Sequence, residues 1–256
     1  PQNCLKSQGD GLMALTLEIK RPVLNFDGED DYVEVPHIES LANTLTVEFW
    51  FKSMQPWTGT YWPGSATFIS KATSGPISSD WTIIAGSKKS GVDEGRVIVG
   101  IGDTEAPGGD IILYSRTGLN DGFWHYIAVI LDTMTEYKLY YGGPKSNGEL
   151  VLEDSAPAYG GTISNDRPIQ IGGDPYLGGA YLDGIIAFIR IYNRVLTVKE
   201  IRYNYLNPMS PVLDGLVLWL PMDEGSGTTV YDRSGNGNHG TIYGASWDHC
   251  WWNKTD

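Results

Sequence analysis

IQIGGDPYLGGAYLDGIIAFIRIYNRVLTVKEI, residues 169–201, decides how this chain is read. From Gly184 to Tyr192 it runs as an apolar strand, and Tyr192-Asn193-Arg194 turns the chain. Thr197-Val198-Lys199-Glu200 then forms a capping box: the threonine hydroxyl accepts from the amide three residues on, and the glutamate reaches back to the threonine amide. One short helix is therefore predicted just after Leu196, and Pro208 and Pro211 stop it.

Upstream, the pattern is of strands alone. VLNFDGEDDYVEVP (23–36) reads as strand, turn, strand: Asp27-Gly28 supplies the turn, and Val33 and Val35 alternate with Tyr32 and Glu34. In LTVEFWFK (45–52), Leu45, Val47, Phe49 and Phe51 share one face, as in a sheet packed on one side. Further strands are expected at 67–70, 81–85, 96–101, 111–114, 124–131, 137–141 and 168–171, separated by Gly, Pro, Asn and Asp. Such spacing indicates an all-β, two-sheet sandwich. Residues 1–23 form an N-terminal segment in which Leu12 to Ile19 alternates as a strand would.

Downstream, LDGLVLWLPMDEGSGTTVYDRSGNGNHGTIYGASW (213–247) reads as the opening of a domain placed at its end. It has an apolar strand, 216–220, a Gly-Asn loop, 232–240, and a short strand, 241–243. Asp214-Gly215-Leu216 is echoed by Asp10-Gly11-Leu12. A strand carrying Leu216, Leu218 and Leu220 cannot stay free in water, because its backbone groups and side chains need a sheet. Either it folds back to complete its own domain, or it is donated to a neighbour and builds head-to-tail assemblies.

Bulk properties narrow the function. The chain has 256 residues, 41% hydrophobic, with 32 Gly, 9 Trp and 15 Tyr, enough for one large β domain. A net charge of −13 without a basic cluster argues against nucleic acid, since phosphate binding needs a cationic face. No run approaches the roughly 20 apolar residues of a membrane span. Residue 1 is Pro, which suggests a mature product or an excised fragment. Cys4 and Cys250 stand at opposite ends; a bond between them would imply an oxidising compartment and constrain nearly the whole chain. Asn253-Lys254-Thr255 fits the N-glycosylation pattern.

Five segments, in order, resemble a concanavalin A-like, laminin-G-like jelly-roll domain: LNFDGEDDYVEVP (24–36), LTVEFWFK (45–52), DGFWHYIAVILD (121–132), YKLYYGG (137–143) and the stretch at 169–201. The resemblance covers most of 24–206, and 207–256 adds the family's usual opening strands at the wrong end. It implies a two-sheet antiparallel jelly roll with one short helix, used outside the cell for carbohydrate binding, adhesion or assembly. Fold alone does not give function.

Three kinds of site residue are candidates. For catalysis, Glu29, Asp31 and Glu34 match the Glu-x-Asp-x-x-Glu spacing of glycosidases on this sandwich. They begin at a glycine turn, however, and a retaining mechanism needs two carboxyl groups about 5 Å apart on a rigid strand. A non-enzymatic protein is expected, with His125 structural. For metal, the resemblance implies a structural Ca²⁺ on oxygen-rich turns, which offer Asp27, Asp30, Asp183, Asp232, Asn236 and Asn238. Relatives often carry an acidic pair where this chain has Ala187-Phe188. For contact, Trp57, Tyr61 and Trp62 sit in a long loop, where they either stack on sugar rings or a partner or pack back onto their own sandwich. The expectation is an extracellular recognition or adhesion protein binding a glycan or a surface protein. The alternative is a self-associating subunit of a filament, sheath or virion.

Overall fold

The computed structural model describes residues 20–41, 43–57, 65–72, 81–86, 94–108, 111–163, 165–178 and 180–251. The expected strand at Leu12 to Ile19 lies outside them, as do Cys4, Tyr61, Trp62 and Asn253.

The chain opens with β1 (Lys20–Asp27), β2 (Tyr32–Val35), β3 (Thr44–Lys52), β4 (Ala66–Lys71) and β5 (Trp81–Gly86). It continues through β6 (Arg96–Ile101), β7 (Ile111–Tyr114), β8 (His125–Asp132), β9 (Glu136–Gly142) and β10 (Leu150–Pro157). Then come β11 (Ile169–Ile171), β12 (Asp183–Tyr192), helix α1 (Val198–Leu206), β13 (Leu216–Leu220), β14 (Thr229–Val230), β15 (Gly240–Tyr243) and β16 (Ser246–Trp251). They form two eight-stranded antiparallel sheets. The first runs β10-β9-β8-β3-β12-β1-β16, with β13 also on β12; the second runs β14-β15-β2-β11-β4-β5-β6-β7.

The strand-turn-strand at 23–36 is a corner rather than a hairpin. β1 lies in the first sheet and β2 in the second, so Asp27-Gly28 carries the chain across the edge of the sandwich. Gly28 has φ +84°, and a Cβ there would meet the Asp183 Cβ at 3.0 Å, so conformation and space both favour glycine.

The C-terminal strands join both sheets of their own chain. β12 keeps β3 along one edge, while its other edge is shared. Asp183 to Ile186 pair with β1, and Ile189 to Tyr192 pair with β13. The change of partner falls at Phe188, whose φ is +51°, beside a register shift between Ala187 and Arg190. A bulged residue of this kind bends the strand and re-aims its neighbours. β16 then pairs with the outer edge of β1, and β15 pairs with β2.

The main core lies between the sheets, with Phe26, Val33, Phe49, Phe51, Phe68, Ile83, Val99, Ile127 and Ile186 among its members. A second apolar cluster covers the outer face of the first sheet. There Trp50, Tyr126, Tyr192 and Leu216 meet Ile201 and Tyr205 of α1. Thr197 caps the helix as its sequence demands, with the reciprocal bond from Glu200 in place. Under the helix the buried Glu48 carboxylate accepts from Tyr126 Oη at 2.7 Å and Asn204 Nδ2 at 2.9 Å, and pairs with Arg190 at 3.4 Å. Arg190 in turn donates to the Pro208 carbonyl. Burial raises the Glu48 carboxyl above its ordinary value even though Arg190 and these donors pull it down.

Candidate functional site

The turn between β1 and β2 gathers three carboxylates. Ligand oxygens of Asp27, Asp30 and Asp31 lie within 4.8 Å of one another. Asp31 Oδ2 accepts from the Asp27 amide and Asp27 Oδ1 from the Glu29 amide, both at 2.9 Å, which leaves each with one oxygen outside these bonds. Asp31 is buried, and that burial raises its carboxyl above the usual range; the charges of Asp27 and Asp30 add to the rise. Gly244 closes over it: a Cβ there would come within 2.1 Å of Asp31 Oδ1. Three crowded oxygen ligands on a glycine turn suit a hard divalent cation, which would offset their mutual repulsion.

The other expected metal ligands stand differently. Asp183 faces Asp27 across the β1–β12 pair and is outside the cluster, with its amide bonded to Gln55 Oε1 at 3.1 Å. Asp232 is occupied by protein donors. Its Oδ1 accepts from the Trp219 and Ser234 amides, and its Oδ2 from Ser234 Oγ and the Asn238 amide, at 2.8–3.0 Å. Asn236 and Asn238 turn their amide nitrogens onto the Leu216 and Val217 carbonyls at 3.1 and 2.9 Å. These bonds tie the glycine-rich loop to β13, so Asp232, Asn236 and Asn238 act as loop supports and stand apart from the Asp27, Asp30 and Asp31 cluster.

Trp57 packs onto its own sandwich, one of the two outcomes expected for it, and away from the contact role. It is 1% exposed, packed 5.9 Å from the Phe51 ring and edge-on to Phe68 at 5.6 Å. It is a core residue. Leu216, Leu218 and Leu220 are buried in the same way, within their own sandwich. Cys250 is buried opposite Arg21 at the β16 edge of the outer cluster.

The carboxylate triad considered for catalysis is dispersed. Glu29 is on the turn, Asp31 is buried beneath Gly244, and Glu34 points away from the core between Val33 and Val35. His125 is buried, bonded to Tyr141 Oη at 3.0 Å and Asp121 Oδ1 at 2.8 Å, and its burial lowers its proton affinity. Burial alone would raise the Asp121 carboxyl, but the bond to His125 and the charges and donors around it hold it at about 2.

Beside the acidic corner lies a group of tyrosines that local sequence reading missed. Tyr32 and Tyr243 are register partners on β2 and β15, their rings stacked at 4.6 Å. Tyr176 is brought over the same face by a 3₁₀ turn, Pro175–Leu177, capped by Asp174. Its hydroxyl lies 3.4 Å from Glu34 Oε2, which also accepts from Gln170 Nε2 at 2.9 Å. The Arg167 guanidinium sits 4.8 Å over the Tyr176 ring. Burial raises the Tyr32 phenol, and the charges of Tyr243 and Glu34 add to the rise. Tyr243 is 42% and Tyr176 52% exposed. The corner and the tyrosines are continuous, because Asp31 precedes Tyr32 and Gly244 follows Tyr243. Alternation along β2 was visible in the sequence, but the meeting of Tyr32 with Tyr243, and of Tyr176 with Glu34, depends on long-range pairing.

Solved structures confirm the sandwich. A protein described as carbohydrate-binding, from Bacteroides ovatus ATCC 8483, superposes with a TM-score of 0.64 at 15% identity over 91% of this chain. The chain spans 61% of that protein's length. The heptameric SAP-like pentraxin of Limulus polyphemus gives 0.50 at 14% identity, over 74% of this chain and 84% of its own. The enzymatically active domain of tailspike protein 2 of bacteriophage CBA120 gives 0.52 at 13% identity, over 84% of this chain and 35% of its own. At such identities the likeness is one of fold. No curated protein matches the sequence. A family model for the concanavalin A-like lectin/glucanases superfamily, of laminin G type, matches residues 27–202. The chain belongs to that superfamily.

Proposed function

We propose that this protein is a non-catalytic recognition module of the cell exterior. In this reading it binds a glycan-bearing surface through the outer face of the second sheet, with Ca²⁺ bracing the neighbouring corner. The observation that carries it is the continuity of the acidic corner with the tyrosine group. An ion held by Asp27, Asp30 and Asp31 would fix the turn from which β2 projects Tyr32 and Glu34. The ion's role is structural: it would neutralise crowded carboxylates and stiffen the edge of the binding face. The dispersal of Glu29, Asp31 and Glu34 supports a binding role over glycoside hydrolysis, which needs two carboxyl groups converging on one bond.

The test is thermal unfolding with Ca²⁺ and with chelator, beside binding to a glycan array. A ligand that binds only the native state raises the melting temperature as its concentration passes its dissociation constant. The expected result is a Ca²⁺-dependent rise that Asp30→Asn abolishes, together with glycan binding. Release of reducing sugar from the bound glycans, or absence of glycan binding, would contradict the reading.

A further inference from the structure

We infer that the sandwich shuts its own strand edges with side chains, and that Glu153 and Asp154 on β10 keep the edge of β7 from pairing with an extended segment of a second copy of this chain. The inference is independent of the recognition role proposed above.

A strand at the end of a sheet presents a row of unpaired amides and carbonyls, and such a row is a template for an added strand. β7 ends the second sheet and pairs with β6 alone among the described residues. The Ser115 amide, just after β7, faces β6 and donates to the Val97 carbonyl at 2.9 Å. Alternation along the strand then turns the Tyr114 and Arg116 amides outward. Both are taken: Tyr114 donates to Asp154 Oδ2 at 3.0 Å, and Arg116 to Glu153 Oε2 at 2.8 Å. Consecutive strand residues ordinarily face opposite ways, so two neighbouring carboxylates would not reach one edge. Here the register of β10 on β9 shifts between Leu152 and Asp154, and that bulge brings both side chains to β7. Glu153 is fixed further by Arg116, whose Nε meets its Oε1 at 2.9 Å, and the Glu153 side chain is only 8% exposed.

β13 is closed in the same manner. It pairs with β12 alone among the described residues. On its other side the Trp219 amide donates to Asp232 Oδ1 at 2.9 Å, and the Trp219 carbonyl accepts from the Arg233 amide at 2.8 Å. The Val217 carbonyl accepts from Ser234 Oγ at 3.2 Å and Asn238 Nδ2 at 2.9 Å. A loop stands where the next strand would, and supplies its donors and acceptors. Assembly by strand donation needs an acceptor edge, and these two are filled from within. The β13 edge is held by many bonds of one loop, whereas that of β7 depends on two side chains, so β7 is the edge that substitution can open.

The experiment compares wild type, the double variant Glu153→Ala/Asp154→Ala, and the control Glu39→Gln/Asp166→Asn, which removes the same charge from exposed positions. Native mass is measured against concentration, and amide exchange by NMR in dilute solution. The double variant is expected to self-associate, its native mass rising about twofold or more, while wild type and control stay single copies. Its Tyr114 and Arg116 amides should exchange about tenfold or more faster, with Leu113, which faces β6, unchanged. Should the double variant fail to fold, Asp154→Ala alone carries the test through the Tyr114 amide and the native mass. A folded variant that stays a single copy with its outward amides exchanging fast would overturn the inference. Equal association of the control would also overturn it, by assigning the effect to net charge.

Discussion

The two outer faces of this sandwich are built from the same period-two alternation and put to opposite ends. Outside the first sheet, alternate residues such as Trp50, Tyr126 and Tyr192 are sealed under α1 with a buried ion pair. Outside the second sheet, Tyr32, Glu34 and Tyr243 occupy equivalent outward positions and stay partly open. A capped helix accounts for the difference: α1 supplies Ile201, Asn204 and Tyr205 to the first face, whereas the 3₁₀ turn on the second supplies only the exposed Tyr176. The first face therefore carries stability, and the second is the face to which the proposed function assigns recognition.

The largest expected break comes from ending the chain at Pro211. This removes β13 to β16, which pair with β12, β1 and β2. The shortened chain should lose its cooperative unfolding transition. Native mass of the full chain, with and without reductant, should be that of one copy. Large assemblies that become folded single copies on truncation would mean that the strands are exchanged between copies.

Glu48→Ala strikes the sealed face. It leaves Arg190 buried and uncompensated, with an expected loss of about 3–5 kcal/mol in denaturant unfolding. Trp57→Ala should cost about 3–5 kcal/mol through the cavity it opens between Phe51 and Phe68, with glycan affinity per folded molecule unchanged. A selective loss of binding in a stably folded Trp57→Ala protein would restore the contact role expected from sequence.

That tryptophan shows where sequence reading reached its limit. The strands at 45–52 and 184–192 and the cap at Thr197 were legible because alternation and capping are local signals. β10 was not, because it has weak alternation and a half-exposed surface, and β16, SWDHCW, has no apolar run. Trp57 sits among Gly, Pro and Thr, so its sequence leaves contact and self-packing both open, while its burial is set by Phe51 and Phe68. The acidic corner was legible as a turn. That Asp232 belongs to a separate, self-satisfied loop was not, because its partners at Trp219 and Asn238 are fixed only by the fold.

Acid should weaken the His125 anchor. The Asp121 carboxyl is held at about 2 in the folded state against an ordinary 3.8. A depressed carboxyl contributes stability that is present above 3.8 and lost as pH falls toward 2. Asp121→Asn should therefore flatten the stability profile across that window in pH-dependent unfolding. The smallest expected effect on stability is that of Tyr243→Ala. An exposed cross-strand pair is worth roughly 0.2–1 kcal/mol, so its melting profile should hardly move while its glycan affinity falls.

The most direct test of the division between faces is tyrosine nitration mapped by mass spectrometry, with and without a saturating neutral oligosaccharide. Tyr203, on the outside of α1, is 47% exposed and serves as the internal control. The account predicts that Tyr176, Tyr243 and Tyr203 are all modified in the free protein, and that the sugar protects Tyr176 and Tyr243 but not Tyr203. Protection of Tyr203 with continued modification of Tyr243 would place recognition on the helix face and contradict it.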